Sequence, residues 1–402
     1  MFVENLSMSL SRLMATSILS LFVILLAPYA IAADIHLHVL KNPSPALIDG
    51  KNAFFYELVI NNNANTDVQL TELEIKGNTF GDLHFGETEL RPRLAILGDV
   101  DLDTISDWNS LIGSARTLPP KAPGVIQARQ SAIIFLQLSG EKDAVIPKVI
   151  HHQLKFTAQN VVTKMEYDVK IDGREPVVLM SPFHSGIWFP FNSTTDISAH
   201  RRSVLRFHGK HYIAQRFAID WMRIGDDGRA LLQGTSSKVN SNYYSYSTPI
   251  FAVADGVVKK VTDGITENIP DVIERAITIN EQTVAGNSVV LEIGKNRYAL
   301  YAHMQPGSLK VKPNEHVKRG QLIGLLGNSG NSTGPHLHFH VCDGPSVLEC
   351  QGIPYVFEDF THQEIQTSGT DIETLQFIGV GDIKKSHLEF IWTNQQIGFP
   401  IF

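Results

Sequence analysis

The residues with the most chemical content run from Gly324 to His340, where a Gly/Asn/Ser/Thr-rich turn leads into His336, His338 and His340 at alternate positions. In a strand, alternate side chains share one face, with like-facing neighbours about 6.6 Å apart. Two imidazoles at that spacing can share one zinc, or one can ligate while its neighbour addresses a substrate. Leu337 and Phe339 would then anchor the opposite face in a core. Two further donors end or interrupt apolar segments: Asp220 in Ala218–Trp221 and His303 at the close of Tyr298–His303. One carboxylate and three imidazoles, Asp220, His303, His336 and His338, make a set suited to metal-assisted hydrolysis. Such a site needs three protein ligands for zinc, a position for water, and groups that handle its proton.

These residues need a β-scaffold, and the surrounding pattern supplies one. From about Met180 to Phe360 the chain consists of apolar, β-rich segments joined by Gly, Asn and Pro turns, with little helical periodicity. Such a pattern predicts a layered antiparallel sheet with polar side chains on its open face. Residues 34–175 read as short alternating strands, among them Phe54–Ile60, Ile133–Leu138 and Met165–Ile171, separated by Asn- and Gly-rich turns. The expectation there is a β-sandwich, immunoglobulin-like. It holds no chemical motif, since the His36/His38 pair lacks an acidic partner and reads as solvent-facing. The whole chain is expected to be mainly β. A Pro-, Gly- and aromatic-rich stretch, 176–199, is expected to link the two domains, and 361–402 to form a C-terminal extension.

Composition narrows the classes. The chain has 402 residues, 43% hydrophobic and 19% charged, with a formal charge of −7 and no run of Lys or Arg, so nucleic acid is not an expected partner. Arg12 precedes an apolar run, Leu13–Ala27, that is short for a membrane span, and small residues follow up to Ala33. This is the pattern of a signal peptide over residues 1–33, implying export with no retained membrane anchor. The two cysteines, Cys342 and Cys350, flank a Gly-Pro turn, and in an exported protein they are expected to form a local disulfide rather than a zinc pair.

Several segments occur in the order found in one known family. Ala218–Asp220, Pro249–Val258, Gly286–Val290, Tyr301–His303, Val317–Gly324 and Gly327–Phe339 resemble the lysostaphin/LytM-type zinc endopeptidases, peptidoglycan hydrolases with a duplicated-hybrid-motif β-fold. The resemblance covers about Ala214 to Val341, within a metallopeptidase domain placed at 200–360. It implies that Asp220 and His338 ligate zinc and that His303 and His336 are catalytic. It also implies water attack on a peptide carbonyl in a peptidoglycan cross-link.

One position departs from the pattern. The family's first ligand is a histidine four positions before the aspartate, on the same strand face, and here that residue is Arg216. A guanidinium offers no lone pair to a metal. The third ligand is therefore open among His200, His208, His211 and His340, the last standing where the family usually has glutamate. Two functions follow as expectations. One is an exported zinc endopeptidase acting on peptidoglycan peptides, periplasmic in preference to extracellular. The other is a catalytically inactive relative that binds peptidoglycan or regulates another cell-wall hydrolase, with the N-terminal domain available to a protein partner.

Overall fold

Alternation of apolar and polar residues organises the N-terminal region into two facing sheets. The computed structural model describes residues 34–76, 81–106, 108, 117–118 and 120–401; the segment expected to be a signal peptide lies outside these. One sheet orders strands Ile35–Val39, Lys51–Asn62, Ser131–Glu141 and Leu94–Leu97. The other orders Val161–Lys170, Val149–Ala158, Val68–Lys76 and Leu83–Gly86. Phe54, Leu58 and Leu136 from the first meet Leu73, Leu154 and Phe156 from the second in one buried core. This is a β-sandwich.

Strand Lys51–Asn62 departs from simple alternation, because Ala53 to Ile60 are all buried. Its even-numbered residues fill the sandwich, while its odd-numbered residues face the second domain. Phe55 meets Phe217 edge-on with ring centroids 5.7 Å apart, and Val59 clusters with Ile133, Phe135, Val204 and Ile213. The two domains thus share apolar cores across this strand, and Glu57 lies between those contacts.

The second domain is built on an 11-stranded sheet that is antiparallel except for the pairing of Val177–Leu179 with Tyr355–Ser368. The stretch expected as a linker is part of it. Val177–Leu179 and Ile187–Phe191 are strands of this sheet, because their alternating apolar residues, Leu179 and Trp188 among them, complete its core. The expected C-terminal extension likewise supplies Gln376–Glu389 and Gln395–Gly398, and Tyr355 starts a strand that runs on to Ser368. Neither segment is a tether.

The strands that carry the chemistry are neighbours. Ile219–Ile224, Leu337–Cys342 and Arg297–Met304 follow one another in the sheet, with Asp220 paired to His338 and Ala302 paired to His338. Leu337, Phe339 and Val341 pack down into the core, so His338 and His340 face the open side. The register thereby sets the carboxylate beside the imidazole.

Candidate metal centre

His338 and Asp220 are cross-strand partners, and His338 Nδ1 stands 2.9 Å from Asp220 Oδ1. The remaining His338 nitrogen, Nε2, is 3.0 Å from His340 Nδ1, one step down the same face. With the proton on Nδ1, His338 donates to Asp220 Oδ1 and can accept from His340. With the proton on Nε2 it donates to His340 and frees the Nδ1 lone pair, and this second tautomer is the one a metal at this position requires. His340 thus stands behind His338, as the orienting partner of a metal-ligating imidazole does. Its own Nε2 is buried without a partner.

The third member comes from outside the sheet. Residues Ala199–Arg202 form a single helical turn, with Ser198 Oγ accepting from the Arg201 N–H as its N-cap. His200 projects from this turn and donates from Nδ1 to the Asn192 carbonyl at 3.0 Å, leaving Nε2 3.2 Å from Asp220 Oδ2. Asn192 also donates from Nδ2 to Asp220 Oδ2 at 2.9 Å, so one asparagine orients both groups. The His200 and His338 rings meet edge-on, 4.8 Å between centroids. Ligand atoms of His200, Asp220 and His338 all lie within 4.8 Å of one another. Two imidazole nitrogens and one carboxylate, converging beside a cavity, match the donor types of a catalytic zinc site.

The other sequence candidates lie elsewhere. His208 is exposed and pairs with Asp103 and Glu349, and His211 donates from Nε2 to the Gly98 carbonyl. Neither reaches Asp220. Arg216 is not on the Asp220 strand, contrary to the expectation. Residues 214–217 form a turn, closed by Ala218 N–H donating to the Gln215 carbonyl, and the strand begins at Ile219. That turn sends the guanidinium to Glu57 and to the Gly352 carbonyl instead. Asp220 is therefore the second residue of its strand and not its end. Cys342 and Cys350 form a disulfide, with Cα atoms 6.0 Å apart, which removes both thiols from any ligand set.

His303 and His336 flank the cluster. His336 donates from Nδ1 to the Gly334 carbonyl at 2.8 Å and turns Nε2 to within 3.4 Å of Asp220 Oδ1. His303 donates from Nδ1 to the Ser329 carbonyl at 2.8 Å, and its ring centroid lies 4.9 Å from that of His336. His303 has φ 64°, a left-handed conformation that is uncommon and costly for a non-glycine residue. Its N–H donates to the Ala285 carbonyl, so the unusual backbone is held from both sides.

The Gly/Ser loop before His336 is wrapped around one buried side chain. Asn268 Nδ2 donates to the carbonyls of Asn328, Gly330 and Ser332 at 3.1, 2.8 and 2.9 Å. Gly330 has φ 75°, and a Cβ there would collide with the backbone of Gly286. Only glycine fits both the conformation and the close approach.

Electrostatics follow from burial and mutual contact. Burial opposes charge on Asp220, but the His200 and His336 imidazoles hold its carboxyl well below the ordinary range. Burial pushes His303 and His340 well below the usual imidazole range and lowers His338. Burial also acts against charge on His336, yet the Asp220 carboxylate raises it. The cluster opens on a cavity of about 640 Å³ whose lining includes Arg275, Asn331 and Thr333. Such a volume fits a peptide-sized ligand. Asn192, Asn268 and Ser329 were not legible in advance, since each acts through a main-chain or amide contact set only by the fold.

Comparison with known proteins agrees with the motif series. Residues 241–348 match the model of peptidase family M23, a span that includes His303, His336 and His338 and begins after Asp220. The peptidoglycan DD-endopeptidase ShyA of Vibrio cholerae is 37% identical over 94 residues, covering 23% of this chain and 17% of that protein. ShyB, a peptidoglycan DD-endopeptidase of the same organism, is 40% identical over 67 residues, 17% of this chain and 15% of its own length. The chain therefore spans under a fifth of the length of these relatives. Among solved structures, a zinc-containing peptidase from Vibrio cholerae aligns over 79% of this chain and 83% of its own, at 13% identity and a TM-score of 0.23. By the family-model match over residues 241–348, the chain carries a peptidase family M23 domain.

Proposed function

We propose that this chain is an exported, zinc-dependent endopeptidase that hydrolyses peptide cross-links of peptidoglycan, with His200 in place of the missing family ligand. The observation that carries the reading is the convergence of the ligand atoms of His200, Asp220 and His338 within 4.8 Å of one another, with His200 Nδ1 spent on the Asn192 carbonyl. The substrate class is supported by the DD-endopeptidase relatives. Export is supported by the N-terminal sequence pattern, and among the described residues no helix is long and apolar enough to cross a membrane.

In this reading His200 Nε2, the Asp220 carboxylate and His338 Nδ1 hold the zinc. When bound, zinc supplies Lewis-acid polarisation of water and of the scissile carbonyl. The protein's own contribution is proton handling and orientation. His303 and His336 both spend Nδ1 on backbone carbonyls, so each presents Nε2 to the cavity. One Nε2 can accept the proton of the attacking water and the other can donate to the developing oxyanion or the leaving amine. Asn192 fixes the rotamers of His200 and Asp220 together, and His340 fixes His338.

Purified full-length protein incubated with peptidoglycan tests the reading. Release of uncross-linked peptides, identified by mass and abolished by chelator, is the expected result. Intact cross-links after prolonged incubation of zinc-loaded protein would refute it and favour a binding role.

A further inference from the structure

The helical turn that carries His200 is held by the other domain. Arg201, the next residue, is fully buried against the outer face of the sandwich, its guanidinium 5.2 and 5.7 Å from the ring centroids of Phe55 and Phe135. There its Nη2 donates to the carbonyls of Tyr56 and Leu136 at 3.0 and 2.7 Å, and its Nε donates to Glu57 Oε1 at 3.1 Å. Asp196 Oδ1 receives Nη1 at 2.7 Å. Glu57, itself fully buried, uses its other oxygen on Arg216, with Nε at 2.9 Å and Nη2 at 2.8 Å. Arg216 continues to Gly352 O and Gln351 Oε1, and its turn leads directly into the Asp220 strand. One carboxylate of the sandwich thus grips the residue beside one candidate ligand and the turn before another.

We propose that Glu57 is a positioning residue for the metal centre, so that the ligand set is complete only when the N-terminal sandwich is docked on the peptidase domain. The inference rests on the reading of His200, Asp220 and His338 as zinc ligands. It explains why an arginine stands where the family has a histidine. The guanidinium belongs to a five-charge interdomain cluster, Glu57, Arg93, Asp196, Arg201 and Arg216, and the lost ligand is replaced from the turn that cluster fixes. A buried carboxylate shared by two arginines has a defined geometry, because each guanidinium fork restricts where its partner sits. Simple interdomain adhesion would be served by the Phe55–Phe217 and Val59 contacts alone.

A double-mutant cycle on the full chain tests this, reading zinc affinity by chelator competition and coordination by the visible spectrum of the cobalt-substituted protein. Glu57→Gln is expected to weaken zinc binding at least roughly tenfold and to alter the cobalt spectrum, while near-UV circular dichroism stays native. His200→Ala is expected to leave a weak site on Asp220 and His338. Adding Glu57→Gln to His200→Ala should then weaken binding by a smaller factor than in the wild type, because only the Arg216 turn before Asp220 is left for it to disturb. Glu57→Asp, which keeps the charge but retracts it, runs the same cycle should Glu57→Gln lose its fold. Wild-type zinc affinity and spectrum in the folded Glu57 variants would overturn the proposal, as would a loss that is undiminished in the His200→Ala background. Failure of the wild type to bind zinc would instead refute the ligand reading, and the proposal with it.

Discussion

His340→Leu removes a side chain that touches neither a metal nor a substrate in this account, and it should nevertheless weaken zinc binding. A neutral His338 carries one proton. In the metal-binding tautomer His340 Nδ1, 3.0 Å from His338 Nε2, accepts it and leaves His338 Nδ1 free for the metal. With leucine in its place, an Nε2–H would be buried without an acceptor, a cost of about 1–3 kcal/mol. The proton escapes that cost by moving to Nδ1, where Asp220 Oδ1 waits at 2.9 Å. That tautomer cannot ligate through Nδ1, so zinc must reverse the shift, which corresponds to roughly 5–150-fold in affinity. Losses of a ligand's orienting partner fall in the same range, roughly 10–100-fold. His340→Glu restores an acceptor, and it is the residue the resembled family usually has there, so it should recover most of the loss. Chelator competition measures the affinity, and nitrogen-15 chemical shifts of the imidazoles report the tautomer. A folded His340→Leu protein binding zinc within about threefold of wild type would refute the reasoning.

His303→Ala and His336→Ala should each stop turnover while retaining about one zinc per chain, since neither belongs to the converging triad; loss of metal in both would reassign them as ligands. In the sandwich, burial lowers His152 to about 4 while its ring accepts or donates at Tyr56 Oη, 2.7 Å away. The unfolded chain, with an ordinary imidazole, binds the extra proton between pH 6.5 and 4, so stability falls with pH across that window by about 3 kcal/mol. Urea midpoints measured across the window should fall more steeply in the wild type than in His152→Gln, and equal falls in the two would contradict it. Reducing the Cys342–Cys350 bond frees a loop of sequence separation 8 and should cost roughly 2–3 kcal/mol, read as a lower urea midpoint.

The sequence carried the histidine strand because alternation is a local property: Leu337 and Phe339 face the core and His338 and His340 face the open side. Asp220 and His303 were legible for a similar reason, as polar groups in otherwise apolar strands. The disulfide was legible from spacing. His200 was visible only as one of four alternatives, because nothing local distinguishes it from His208 or His211. What selects it is the Asn192 carbonyl and the grip on Arg201, both set by chain folding across two domains. Arg216 was misplaced on a strand because turn 214–217 contains Ala and Phe, residues with no strong turn preference. The expected linker was hard to read as part of the sheet because a strand completing the edge of a large sheet can be as short as Val177–Leu179, below the length at which periodicity is readable.

The central claim is that His200, Asp220 and His338 together hold one metal ion. Metal analysis of purified full-length protein, wild type beside His200→Ala, His208→Ala and His211→Ala, tests it most directly. The account predicts about one zinc per chain in the wild type and in the His208 and His211 variants, and a loss of zinc confined to His200→Ala. A His200→Ala protein that is folded and carries zinc at the wild-type level would contradict it.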